Sequence, residues 1–76
     1  MTLGDLPIGA GGIIDRVGGP RAFRRRLLEL GLLPGTKVEV LRVAPLGDPI
    51  EVLIRGYRLS LRRQDAALVS IGQGTE

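Results

Sequence analysis

Seventy-six residues admit one domain, and a chain this short buries only about 60–65% of its unfolded surface, leaving no room for a deep cleft beside a core. With no cysteine and no histidine, disulfides, thiolate nucleophiles and the usual general base are excluded, along with the two commonest zinc ligands. The net charge of +3, with ten of the eleven basic residues arginine, fits an acidic or nucleic-acid partner, but an arginine-rich composition without functional cause fits it equally.

The opening Met1-Thr2-Leu3-Gly4-Asp5 shows no basic region leading into a hydrophobic stretch, and no apolar run approaches the ~20 residues of a membrane span. A soluble cytoplasmic domain without membrane insertion is expected. Twelve glycines and five prolines punctuate short apolar segments, the pattern of a small barrel rather than a helical bundle. Gly11-Gly12 leads into a first strand, Ile13–Val17.

The next segment changes period. Phe23, Leu27 and Leu30 are spaced as one face of a helix over Pro20–Leu30, which predicts that all three are buried. Gly19 serves as cap and Pro20 as first helical residue. Gly31 suits the left-handed position after the last turn, Leu32 folds back on Leu27, and Pro34 prevents continuation. Arg21, Arg24, Arg25 and Leu28 fall on the opposite side of the wheel, with Arg26 beside the apolar stripe.

Alternation then predicts strands over Thr36–Val43, Ile50–Arg55, Tyr57–Arg62 and Ala67–Ile71. Only Gly56 and its neighbours separate the third strand from the fourth, which implies a tight hairpin. A third-strand edge carrying Leu53 either stands exposed, which would allow pairing between copies and hence a homo-oligomer, or is covered within the fold. Residues 73–76 read as a frayed tail beyond a domain spanning 1–72. The fold class is therefore mainly β: a small SH3-like barrel of about five strands with one α-helix inserted between strands one and two. An OB-fold normally places its helix between strands three and four, where this hairpin leaves no space.

The arginines on the helix oppose the local field, because the positive end of the helix dipole disfavours cations by a few tenths of a kcal/mol, roughly, at each site. A solvated face accounts for them; so does a surface that meets carboxylates or phosphates. Leu28 ringed by arginines has the form of a small apolar hot spot with a charged rim. The loop Ala44-Pro45-Leu46-Gly47-Asp48-Pro49 is stiffened by two prolines, and it serves either as a plain connector or as a mount for Leu46 as a contact residue.

Other chemistry finds no support. The eight carboxylates show no metal or acid–base spacing. Gly9-Ala10-Gly11-Gly12 lacks the lysine and hydroxyl residue of a phosphate loop. Phe23 and Tyr57 are too few for an aromatic groove or a base-stacking platform, and Tyr57 is expected to lie partly buried over the barrel. No catalytic residue, metal site or cofactor is expected.

Arg26-Leu27-Leu28-Glu29-Leu30-Gly31-Leu32-Leu33-Pro34-Gly35 resembles the central signature of the FeoA domain, the ferrous iron transport protein A family. So do Ala44–Ile50, Leu59–Ala66, and Leu3, Asp5, Leu6 and Gly9, so that the likeness runs from Leu3 to Ile71. Two positions depart from the pattern: Asp65 where the family has Glu before Ala66, and an unusually apolar Leu33. The resemblance implies an SH3-like barrel in the bacterial cytoplasm, linked to transition-metal homeostasis. It also implies a supporting role, by protein contact, for the FeoB membrane iron transporter. The related barrel at the C-terminus of DtxR-type repressors implies the alternative of a regulatory interaction module, and a small basic nucleic-acid-binding barrel is the further alternative. The contact is expected at Arg21, Arg24, Arg25 and Leu28, with Leu46 next.

Overall fold

The computed structural model describes residues 1–72, so the expected tail at 73–76 lies outside the described residues. A short 3-10 turn at Leu3–Asp5 precedes β1 (Gly11–Val17), α1 (Arg21–Glu29), β2 (Lys37–Val43), β3 (Ile50–Ile54), β4 (Tyr57–Leu61), α2 (Arg63–Ala66) and β5 (Val69–Ile71). All five strands are antiparallel, in the order β4-β3-β2-β1-β5. The N-terminal half of β1 pairs with β2 and its C-terminal half with β5, so one strand serves both halves of the SH3-like barrel. The helix between β1 and β2 stands where the sequence places it.

Two bulges decide which residues face inward. Asp15 is an extra residue on β1 against β5, and Leu41 an extra residue on β2 against β3. An inserted residue shifts the two-residue period by one. Ile14 and Val17, three apart, are therefore both buried, and Val43 joins Val40 against the core. β3 keeps strict alternation, with Ile50, Val52 and Ile54 buried. These side chains close on Leu3, Leu27, Leu32, Val38, Ala66 and Val69 in one apolar cluster that holds no polar group.

Helix α1 ends as its sequence dictates. The Gly31 N–H donates to the Leu28 carbonyl at 3.0 Å and the Leu32 N–H to the Leu27 carbonyl at 3.1 Å, with Gly31 at φ +105°. This is a Schellman cap, sealed by Leu27 and Leu32 in the core. The start differs from expectation: Pro20 occupies the cap position itself and the helix begins at Arg21.

The sequence reading needs correction elsewhere. Phe23 is 44% exposed rather than buried, and Leu28 is half-buried against the core rather than pointing away from it. The cause is the way the helix packs: every residue from Arg21 to Arg26 is exposed, and only the last turn reaches the barrel through Leu27, Leu28 and Leu30. β3 is interior, so Leu53 lies on no edge; the outer strands are β4 and β5. The edge of β5 is partly covered by the N-terminus, through a Thr2–Ser70 bridge and an Ile71 N–H donated to the Met1 carbonyl at 2.9 Å. The expected fifth strand loses its start, because Ala66 ends α2 and Ala67 caps it.

Candidate docking surface

Three features converge at one end of the barrel: helix α1, the loop from Ala44 to Pro49, and α2. The first turn of α1 contains no acidic residue, and no side chain caps its N-terminus. Arg21, Arg24, Arg25 and Arg26 are all exposed. Arg25 Nε lies 3.5 Å from Glu29 Oε2, four residues on, with both side chains largely in solvent. Such a pair contributes about 0.3–0.5 kcal/mol, too little to explain four arginines on one short helix.

The loop is tightly held. The Gly47 N–H donates to the Ala44 carbonyl at 2.7 Å, which closes a turn with Pro45 and Leu46 at its centre, and the Asp48–Pro49 peptide is cis. Asp48 Oδ1 accepts from the Arg63 backbone N–H at 2.9 Å, so the loop caps α2 across fifteen residues of chain. Arg63 returns the contact, donating from Nε to the Gly47 carbonyl at 3.0 Å. At the tip of this clamped turn Leu46 is 96% exposed, as a contact residue would be. Covering such a side chain gains about 1.5–3 kcal/mol, and a stiff turn limits the entropy lost in doing so.

Between helix and loop runs an open groove of about 340 Å³. Arg26 and Leu30 of α1 line one part, Asp48 and Pro49 of the loop another, and Leu61, Arg62 and Asp65 are among the remaining lining residues. None of the five expected contact residues, Arg21, Arg24, Arg25, Leu28 and Leu46, lines it. The sequence reading passed over Arg26, Leu30 and Arg62 as site residues. Arg26 lies three positions before Glu29 and four before Leu30 on the helix, and that spacing was the available signal. Tyr57 crosses from β4, and its hydroxyl donates to the Leu30 carbonyl, which ties the end of the helix to the sheet. Tyr57 is 42% exposed, more open than the partly buried lid that the sequence suggests.

Asp5 is held below the ordinary carboxylate range, chiefly by the Thr2 backbone N–H at 2.9 Å and next by the Thr2 hydroxyl at 3.2 Å. Among the described residues no three carboxylates gather as a metal site would require, and no helix is long and apolar enough to cross a membrane.

The family model for the FeoA domain matches residues 1–72. A curated protein of Porphyromonas gingivalis, an Fe(2+) transport protein A/Fe(2+) transporter FeoB fusion, is 42% identical over 71 residues, which is 93% of this chain and 8% of that one. The chain thus corresponds to a small part of that relative's length. The solution structure of the FeoA protein from Chlorobium tepidum superposes with a TM-score of 0.86 at 45% identity, over 100% of this chain and 74% of that one. Stenotrophomonas maltophilia FeoA, crystallised with zinc and described as a prokaryotic SH3 domain protein, gives 0.82 at 32% identity, over 95% and 89%. A manganese-dependent transcriptional repressor gives 0.87 at 19% identity, over 95% of this chain and 35% of the repressor, a likeness of fold alone.

Proposed function

The chain belongs to the FeoA domain family, and on that premise we propose that it is a small cytoplasmic adaptor, without catalysis of its own, that docks on the cytoplasmic part of a FeoB-type transporter and modulates ferrous iron uptake. The observation that carries this reading is the relative in which the two proteins are joined in one chain. Fusion holds two partners at high effective concentration, and it supports a contact between them when they are separate.

The surface supports it as well. Arg21 and Arg24 stand exposed in the first turn of a helix whose dipole they oppose, Arg25 is exposed beside them with Glu29 as its partner, and Leu46 is presented on a clamped turn. Arginine forks of this kind pair with carboxylates, with Leu46 as the apolar anchor. Leu28 contributes from beneath, by seating the helix, rather than as a contact.

The test is co-purification with the cytoplasmic part of FeoB. Two variants are compared with the native chain: Arg21→Glu/Arg24→Glu/Arg25→Glu, and Leu46→Asp. All four positions are exposed, so both variants should fold. Loss of capture with an unchanged melting curve supports docking at this surface. Normal folding with undiminished capture removes the helix face and the loop tip as the site. If the native chain captures nothing, the adaptor reading falls. A DNA and RNA titration at two salt concentrations tests the nucleic-acid reading, which requires affinity that falls steeply with salt.

A further inference from the structure

β4 is an outer strand with a free side. It pairs with β3 through a two-residue turn at Arg55-Gly56, both at positive φ, and the register runs from Ile54↔Tyr57 to Ile50↔Leu61. A turn of that kind makes Ile54 and Tyr57 a hydrogen-bonded pair. Antiparallel alternation then directs the N–H and C=O groups of Tyr57, Leu59 and Leu61 toward β3. Those of Arg58 and Ser60 point away from the sheet, and among the described residues no strand meets them.

The two faces of this edge differ. Arg58, Ser60 and Arg62 are exposed on one face; Tyr57, Leu59 and Leu61 lie on the other, passing from exposed through half-buried to buried. From Val52 to Gln64 the chain carries Arg55, Arg58, Arg62 and Arg63 and no carboxylate. The edge runs into the groove, where Leu61 and Arg62 meet Arg26 and Leu30. Asp48 and Asp65 also line the groove and oppose Arg26 and Arg62 there, Asp48 keeping its charge while it accepts the neutral Arg63 N–H, so the arginine excess lies along the strand edge rather than in the groove.

We infer that the outer edge of β4 is a second docking site, which takes an extended partner segment of alternating acidic and apolar residues as an added strand. Backbone groups of Arg58 and Ser60 would bind its main chain, Arg58 and Arg62 its carboxylates, and Leu59 with the groove at Leu30 its apolar side chains. Strand addition of this type draws affinity from main-chain hydrogen bonds and specificity from alternate side chains. A second copy of this edge is a poorer occupant, because antiparallel self-pairing about Ser60 sets Arg58 opposite Arg62. A nucleic acid has charge but no in-register amides. The inference does not rest on the transporter reading, since any protein can supply the strand.

The probe is the blocked peptide acetyl-Glu-Val-Glu-Val-Glu-Val-Glu-amide, with a control in which lysine replaces every glutamate. Amide hydrogen exchange and NMR shifts of the full chain are followed during titration. Expected are slowed exchange at the Arg58 and Ser60 amides with the acidic peptide and none with the lysine control. Ser60→Pro removes only an outward N–H, a substitution that edge strands tolerate, and it should weaken binding by up to about tenfold, the worth of one hydrogen bond. Should Ser60→Pro fail to fold, Arg58→Glu/Arg62→Glu leaves the backbone intact and must abolish binding. The inference is overturned if millimolar acidic peptide leaves both amides unprotected, if a folded Ser60→Pro binds as well as the native chain, if the double variant binds normally, or if a single-stranded oligonucleotide produces the same protection.

Discussion

Gly31→Ala tests the packing argument at the end of α1, where a left-handed backbone meets a close neighbour. Gly31 sits at φ +105°, and an alanine Cβ built there would lie 2.6 Å from the Tyr57 hydroxyl oxygen, with the next ring atom at 3.8 Å. The left-handed backbone costs an L-residue about 1–2 kcal/mol. Displacing the Tyr57 hydroxyl from the Leu30 carbonyl costs about 0.5–1.5 kcal/mol more. The stiffer unfolded chain returns about 0.4–1 kcal/mol, for a net loss of about 2 kcal/mol. A domain of this size is stabilised by about 4–11 kcal/mol in all, so the variant should fold but melt about 8–16 °C lower. Urea unfolding in the native and Tyr57→Phe backgrounds separates the two contributions. With the hydroxyl gone, the same substitution should cost only about 1 kcal/mol, the backbone share that remains. A loss below about 0.5 kcal/mol in the native background would refute the left-handed cap, and equal losses in both would refute the contact with Tyr57.

Other substitutions probe the loop, the hairpin and the N-terminal turn. Asp48→Ala removes the side chain that caps α2 and should cost about 1 kcal/mol in thermal or urea unfolding. It should also speed amide exchange across Ala44–Pro49, because the loop loses an anchor. Arg55 occupies the first turn position at φ 51°, where asparagine is far better suited, so Arg55→Asn should stabilise by about 0.5–1 kcal/mol in the same assay. Asp5 has a folded pKa below its ordinary value of 3.8. Its hydrogen bonds with Thr2 therefore contribute fully above that value and are lost as pH falls through the lower folded one. Asp5→Asn should flatten the acid limb of a pH–stability curve, and an unchanged limb would show that the bonds do not persist in solution.

What the sequence disclosed was whatever depends on neighbours along the chain. Gly31, Leu32 and Pro34 encode the helix stop locally, and the alternation of Ile50, Val52 and Ile54 encodes a strand buried on one face. The missed features depend on distant partners. Four residues are too few to show a helical period, and α2 owes its cap to Asp48, fifteen positions away. The inward turn of Val17 and Val43 depends on bulges opposite other strands. Phe23 lies on the expected apolar stripe, yet the helix stands clear of the barrel at that end, and no spacing in the sequence records the tilt. The candidate surface was half legible for the same reason: its arginines and Leu46 could be named, whereas the groove at Arg26, Leu30 and Arg62 exists only once three remote segments meet.

The bridge between Thr2 and Ser70 also has a consequence for biosynthesis. A nascent chain emerging from the ribosome cannot shut this cylinder until almost its last described residue is free, because β1 waits for β5 along half its length. Helix α1 and the β3–β4 hairpin can form earlier, but they would do so with Ile14 and Val17 still open to water. The closing step thus waits for β5, and trimming the chain at Leu68 should leave a sticky, half-made intermediate rather than a smaller barrel.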